Sequence, residues 1–357
     1  MDYKKLNDID NLLTPFWNDN GYAYEESFLP LLKEGQTADE DLVVSLLYDA
    51  CEIISVTTAS RLETMEQGKD YFLRDGKLII PASSAVRRMM WDEYHIVGEK
   101  EAQAVFGYTG GGKIFFGEGD TMHSRQYLVT YKHCKAWDGY VPAVEASKLP
   151  KTKARLKNGE DFTFCWYGDS ITTGANSSAA IKSEPFIPMF PELVTIKLQE
   201  KYGININYIN NAMGGATSQW GVDNFDRLYN GLKPDLMFIG YGMNDGSLDP
   251  IEVVKNIKTI VNKTLELSPD CEFLICSTTV PNILAAGFFG LQDKHQPYLK
   301  ALCDELGDRA ALVPVTSVHL SLLEKKNFYD MSGNNVNHPN DFLARAHAQT
   351  ILAQILD

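Results

Sequence analysis

Four short blocks of small and polar residues hold the side chains best placed for chemistry. Gly168-Asp169-Ser170-Ile171-Thr172-Thr173-Gly174 follows an apolar run at 162–167. Asn210-Asn211-Ala212-Met213-Gly214-Gly215-Ala216-Thr217-Ser218 follows a run at 204–209, and Gly240-Tyr241-Gly242-Met243-Asn244-Asp245-Gly246 follows one at 236–241. Asn334-Asn335-Val336-Asn337-His338-Pro339-Asn340-Asp341 leads into a helix-like segment at 340–356. Equivalent placement on one sheet brings a serine, a glycine, an asparagine and a histidine to one rim. A serine hydroxyl is a poor nucleophile until an adjacent imidazole takes its proton. The oxyanion that such an attack creates needs hydrogen-bond donors fixed beforehand, each worth ~3–4 kcal/mol. A bare glycine N–H and a neutral amide meet that need.

These blocks require a sheet whose strands end together. From residue 156 to 357 apolar strands are expected at 162–167, 204–209, 236–241, 272–276 and 311–315. Helices are expected between and after them at 190–201, 217–228, 250–267, 292–306 and 340–356. Such alternation predicts a parallel sheet covered on both faces. Ligands of these sheets bind beyond the carboxyl ends of the strands.

Residues 1–155 have another texture. Short runs rich in Val, Ile, Phe and Tyr at 42–47, 52–56, 77–80, 104–108, 113–116 and 127–131 alternate with turn signals. Asp75-Gly76 marks a two-residue hairpin, Gly110-Gly111-Gly112 another turn, and Gly117-Glu118-Gly119-Asp120 a third. The pattern predicts a β-sandwich, jelly-roll-like, with an irregular or partly helical lead-in before residue 41. The polar stretch 150–161 is expected to join the two domains.

The four blocks, in this order and at these strand ends, resemble those of the SGNH hydrolases, the GDSL esterase/lipase superfamily, over residues 162–357. The resemblance implies a three-layer, flavodoxin-like parallel-sheet domain after the β-sandwich. It also implies roles. Ser170 would be the nucleophile and His338 the general base. The Ser170 and Gly215 backbone N–H groups and the Asn244 amide would form the oxyanion hole. Position 172 is Thr, so the GxSxG elbow of ordinary α/β-hydrolases is missing. One departure stands out: the family pattern is Asp-x-x-His, and here position 335 is Asn. Three resolutions are open. Asn335 or a nearby carbonyl orients the ring of a Ser-His dyad, Asp330 folds back to it, or the site is impaired.

Lys and Arg total 33 against 47 Asp and Glu, a formal charge of −14, which leaves no footprint for nucleic acid or anionic lipid. No run reaches the ~20 apolar residues of a membrane helix. The six cysteines form no CxxC pair and are expected as free thiols, those at 51, 165, 271 and 276 buried in strands. With no secretory pattern at the start, a cytoplasmic location is expected. No metal or cofactor is required. The other histidines, at 95, 123, 133, 295, 319 and 347, show no partner spacing, and Asn176-Ser177-Ser178 fits a glycosylation sequon by chance.

An N-terminal β-sandwich before an SGNH domain resembles some bacterial carbohydrate esterases. The expected substrate is therefore a small-molecule or oligosaccharide ester with a short acyl group, acetyl foremost. Gly287-Phe288-Phe289-Gly290 is the expected substrate-facing loop. Two alternatives remain: a thioesterase or lysophospholipase with longer acyl preference, and a non-catalytic carbohydrate-binding protein with a decayed site.

Overall fold

The computed structural model describes residues 9–18, 20–97 and 105–356. Ala104, the first residue of one expected strand, lies outside them, as does Asp19 of the lead-in.

Among the described residues, nine strands precede residue 150: β1 Tyr22–Phe28, β2 Leu42–Val44, β3 Ala50–Thr58, β4 Phe72–Arg74, β5 Lys77–Ile80, β6 His95–Ile96, β7 Val105–Gly107, β8 Lys113–Phe115 and β9 Tyr127–His133. They form three antiparallel sheets, ordered β1-β9-β3, β2-β5-β4 and β6-β8-β7. The first two enclose a core of Phe28, Val56, Val129, Tyr131, Leu78 and Ile80. Val318, Leu322, Met331, Phe342 and Leu343, from the far end of the chain, complete that core. The β region is thus packed onto the second part rather than tethered to it. The third sheet continues into the loop after residue 280, where Ala286 N–H donates to Gly107 O at 2.8 Å and Thr109 N–H to Leu284 O at 3.0 Å.

Strand β1 lies in the stretch expected to be irregular. Its middle is Glu25-Glu26-Ser27, a polar run that masks the alternation. Glu25 has φ +47° and a bulge interrupts the pairing with β9. Glu26 is buried, and its carboxylate meets Lys326 at 2.7 Å, the Tyr131 hydroxyl at 2.7 Å and Leu47 N–H at 3.0 Å.

The expected connector at 150–161 also differs. Pro150–Asn158 is a helix, ended by Gly159 at φ +69°. Leu149 and Leu156 join the core of the second part, and the Glu272 carboxylate accepts the N–H groups of Lys151 and Thr152 at the helix start.

Five parallel strands follow: β10 Phe162–Gly168, β11 Ile206–Asn210, β12 Leu236–Gly240, β13 Glu272–Cys276 and β14 Ala310–Val313. Their order is β11-β10-β12-β13-β14. Alternate residues of a strand face opposite sides. Phe164 and Trp166 meet helices Phe190–Tyr202 and Asp341–Ile355 on one face, and Cys165 and Tyr167 meet Ser218–Tyr229, Pro250–Leu267 and His295–Glu305 on the other. The result is three layers. The chain leaves β10 towards β11 and returns past it to β12, so β10 sits where the connections diverge, the usual ligand crevice of such a sheet.

The cysteine expectation holds for four positions: Cys165, Cys271, Cys276 and Cys303 are free and buried. Cys51 is instead exposed on β3 and bonded to Cys134, just past the neighbouring β9.

Candidate active site

Ser170 stands in the turn that leaves β10. Asp169 N–H donates to Gly240 O at 3.2 Å, so the turn stays attached to β12, and the Asp169 carboxylate accepts Ile171 N–H at 2.9 Å. Gly168 is needed there because any Cβ would collide with Gly240 O and the Thr172 hydroxyl. Asp169 is buried at the base of the site. That burial, helped by the Asp245 charge, pushes its carboxyl up to about 7 against the pull of its Ile171 hydrogen bond and of His338.

His338 arrives on the loop before the last helix. Asn334 shapes that loop: its Oδ1 accepts the N–H groups of Val336, Asn337 and His338, each at 3.0 Å. A short polar side chain bonding to the backbone just ahead of it closes such a turn without regular structure. Gly333 N–H and the Ser332 hydroxyl both donate to His338 O, at 2.8 and 3.0 Å. The ring is thereby held with Nε2 2.9 Å from Ser170 Oγ.

The other ring nitrogen corrects an expectation. Neither Asn335 nor Asp330 orients the imidazole. Asn335 has φ +67°, which turns its side chain inward: Nδ2 donates to Phe115 O at 2.7 Å, and Oδ1 accepts from the Tyr94 hydroxyl at 3.3 Å. Asp330 is buried beneath β1. Its carboxylate accepts Leu29 N–H at 2.8 Å and Asn327 N–H at 3.0 Å, and burial raises its pKa. The partner of His338 Nδ1 is Asn176 Oδ1, at 2.7 Å. The Asn176 amide nitrogen donates to Gly333 O at 3.2 Å and Gly119 O at 3.4 Å, so its carbonyl must face the ring. A carbonyl partner fixes the proton on Nδ1 and leaves the Nε2 lone pair for the serine hydroxyl. A carboxylate stands close by: Glu118 Oε2, from the turn after β8, is 3.4 Å from Nδ1.

Gly215 and Asn244 lie on the loops after β11 and β12. Gly215 is exposed, with φ +74° and nothing within 4 Å of a Cβ position, so its backbone is open to a ligand. Asn244 donates one amide hydrogen to Ala216 O at 2.9 Å, which ties the two loops together. Asp245 strengthens the tie. Its buried carboxylate takes the Ser218 N–H at 3.0 Å and the Ser218 hydroxyl at 2.9 Å, and burial raises its pKa. Met213 N–H reaches Gly168 O at 3.0 Å, so the Gly215 loop is anchored to the strand that carries Ser170.

Comparison with known proteins gives the family. A family model described as GDSL-like lipase/acylhydrolase matches residues 166–346. The chain belongs to this family. The match spans the turn of Ser170 and the loop of His338. No curated protein matches the chain. Among solved structures, a two-domain esterase active on acetylated mannans, crystallised with mannopentaose, is 18% identical over 59% of this chain and 52% of its own, with a TM-score of 0.45. The chain therefore spans about half the length of that esterase. A catalytic mutant of an acetylxylan esterase from Geobacillus stearothermophilus is 16% identical over 55% of this chain and 94% of its own, with a TM-score of 0.46.

Asn176 and Glu118 are the site residues that the sequence did not expose. In the sequence Asn176 reads only as part of a sequon, and Glu118 only as part of a turn.

Proposed function

We propose that this family member is a serine esterase that removes short acyl groups, acetyl foremost, from carbohydrate. The observation that carries the catalytic part is the hydrogen-bonded run Ser170–His338–Asn176 at the carboxyl edge of the parallel sheet. His338 Nε2 takes the proton as Ser170 Oγ attacks the ester carbon. The N–H groups of Ser170 and Gly215 and the free hydrogen of the Asn244 amide receive the oxyanion. His338 then protonates the leaving alcohol, and water, deprotonated by the same ring, releases the acid from the acyl-serine. The non-catalytic reading loses its ground, because it rested on the missing acid at 335.

The preference for a small acyl group rests on the resemblance to carbohydrate esterases and on no feature of a pocket. The carbohydrate part is supported by fold-level analogy with sandwich-bearing esterases.

The test is hydrolysis of p-nitrophenyl acetate, butyrate and octanoate, and of acetylated xylo- and manno-oligosaccharides, by the protein and by Ser170→Ala. Acetate release that vanishes in the variant is expected. A preference for octanoate would move the assignment to the longer-chain alternative, and no turnover by folded protein would defeat the esterase reading.

A further inference from the structure

We propose that the N-terminal β region completes the catalytic set: Glu118, on the turn after β8, is the positioning residue that stabilises His338 while the ring holds the Ser170 proton. The inference rests on the reading of Ser170 and His338 as nucleophile and base.

The segment 115–119 is stitched to the histidine and its supports at successive points. Phe115 O accepts Asn335 Nδ2 at 2.7 Å, Gly117 N–H donates to Asn334 O at 3.4 Å, and Gly119 O accepts Asn176 Nδ2 at 3.4 Å. Between these anchors the Glu118 carboxylate is held by both oxygens. Oε1 accepts Asn334 Nδ2 at 3.0 Å, and Oε2 faces His338 Nδ1 at 3.4 Å. Asn334 is the residue that shapes the His338 loop, so one side chain sets the ring and its counter-charge together.

Two jobs are thereby divided. In the Ser-His-Asp template one aspartate both fixes the tautomer and offsets the imidazolium charge. Here Asn176 fixes the tautomer through a short bond but carries no charge. Glu118 carries the charge at slightly longer range. Burial works to raise its carboxyl, yet the hydrogen bonds from His338, Asn334 and Asn176 outweigh it, and the group sits below the usual glutamate range. It is therefore ionised wherever His338 works. Asp169 also interacts with the ring, but burial pushes its carboxyl up to about 7 and it is only partly charged at neutral pH.

The Glu118 side chain is 56% exposed, so water screens it. Its removal should cost far less than the ~10⁴-fold seen when a buried triad acid is neutralised. A fall of roughly 10–100-fold in kcat is expected, with KM little changed.

The decisive variant is Glu118→Gln, which keeps the contact with Asn334 and loses only the charge. Expected are the fall in kcat on p-nitrophenyl acetate with KM within about twofold, and a partial recovery of kcat in Glu118→Asp, which restores the charge. Wild-type kcat in Glu118→Gln would overturn the proposal. A second measurement needs no ester. The rate at which phenylmethylsulfonyl fluoride sulfonylates Ser170, followed by intact mass, should fall in Glu118→Gln, and an unchanged rate would also refute the inference. If the wild type hydrolyses no ester but this rate falls in the variant, the esterase reading fails while the Glu118–His338 coupling stands.

Discussion

Gly333 lies directly against Asn176: a Cβ at 333 would stand 2.5 Å from Asn176 Cβ and 2.9 Å from Pro339 O. The glycine lets the His338 loop approach closely enough for Gly333 O to take the Asn176 amide hydrogen. Gly333→Ala must push the two apart, and the 2.7 Å bond from Asn176 to the imidazole is the contact at stake. A fall of about 100-fold in kcat is expected, because a small misplacement of a reacting group is enough for that. Steady-state kinetics check it, with thermal melting to verify that the variant folds.

Asn176 itself invites an obvious improvement that should fail. Asn176→Asp would rebuild an acid-histidine pair. It would also remove both amide hydrogens, leaving Gly119 O and Gly333 O facing a carboxylate. A second negative charge would then crowd Glu118. Unsatisfied buried groups cost about 1–3 kcal/mol each. Lower stability and no gain in kcat are expected from urea unfolding and ester hydrolysis. Asn176→Ala should lose about 10²–10³ in kcat, since the ring then has no partner to fix its proton.

The chemistry was legible where it rides on strand ends and illegible where the tertiary fold delivers it. Ser170 and Asn244 follow apolar strands buried on both faces, whose composition announces them, and Gly215 follows the half-exposed edge strand β11 and is announced by its glycine pair instead. Counting back from His338 pointed to Asn335, but the left-handed backbone at 335 sends that side chain under the third sheet. Asn176 and Glu118 reach the ring through the meeting of three separate segments, and no local pattern encodes that. Strand β1 was hidden for a related reason: its buried Glu26 looks like a surface residue until Lys326 is seen beside it. Helix Pro150–Asn158 buries only Thr152 and Leu156, too few apolar positions to show a period.

Asp169 should make the fold sensitive to pH. Its folded carboxyl titrates at about 7, through burial first and the Asp245 charge second, while an unfolded Asp titrates near ~3.9. Between those values the folded protein holds a proton that the unfolded chain has released. Its contribution is therefore complete below about pH 4 and is lost as pH rises through about 7. Asp169→Asn removes the dependence and keeps an acceptor for Ile171 N–H. Urea midpoints should nearly coincide at about pH 3.5 and favour the variant at about pH 8, by at most about 4 kcal/mol. A variant less stable than wild type at pH 8 would count against the buried, strained carboxylate.

The Glu26–Lys326 pair decides whether the two parts of the chain unfold together. Both side chains are essentially inaccessible, at 1% and 0%, and they join β1 to the segment just before helix Phe328–Met331. Lys326→Met leaves the Glu26 carboxylate buried with only the Tyr131 hydroxyl and Leu47 N–H as partners. Breaking a buried pair from one side costs about 3–5 kcal/mol, whereas replacing both partners by uncharged groups is often near neutral. Lys326→Met should therefore be strongly destabilised, and Glu26→Gln with Lys326→Met should recover most of the loss. Because Val318, Leu322 and Phe342 share one core with β3 and β9, denaturation should remain a single transition in every variant, with ester hydrolysis lost along the same curve as tryptophan fluorescence. Two separated transitions would mean that the β region and the parallel-sheet domain fold independently, and the positioning role of Glu118 would then depend on docking that the pair maintains.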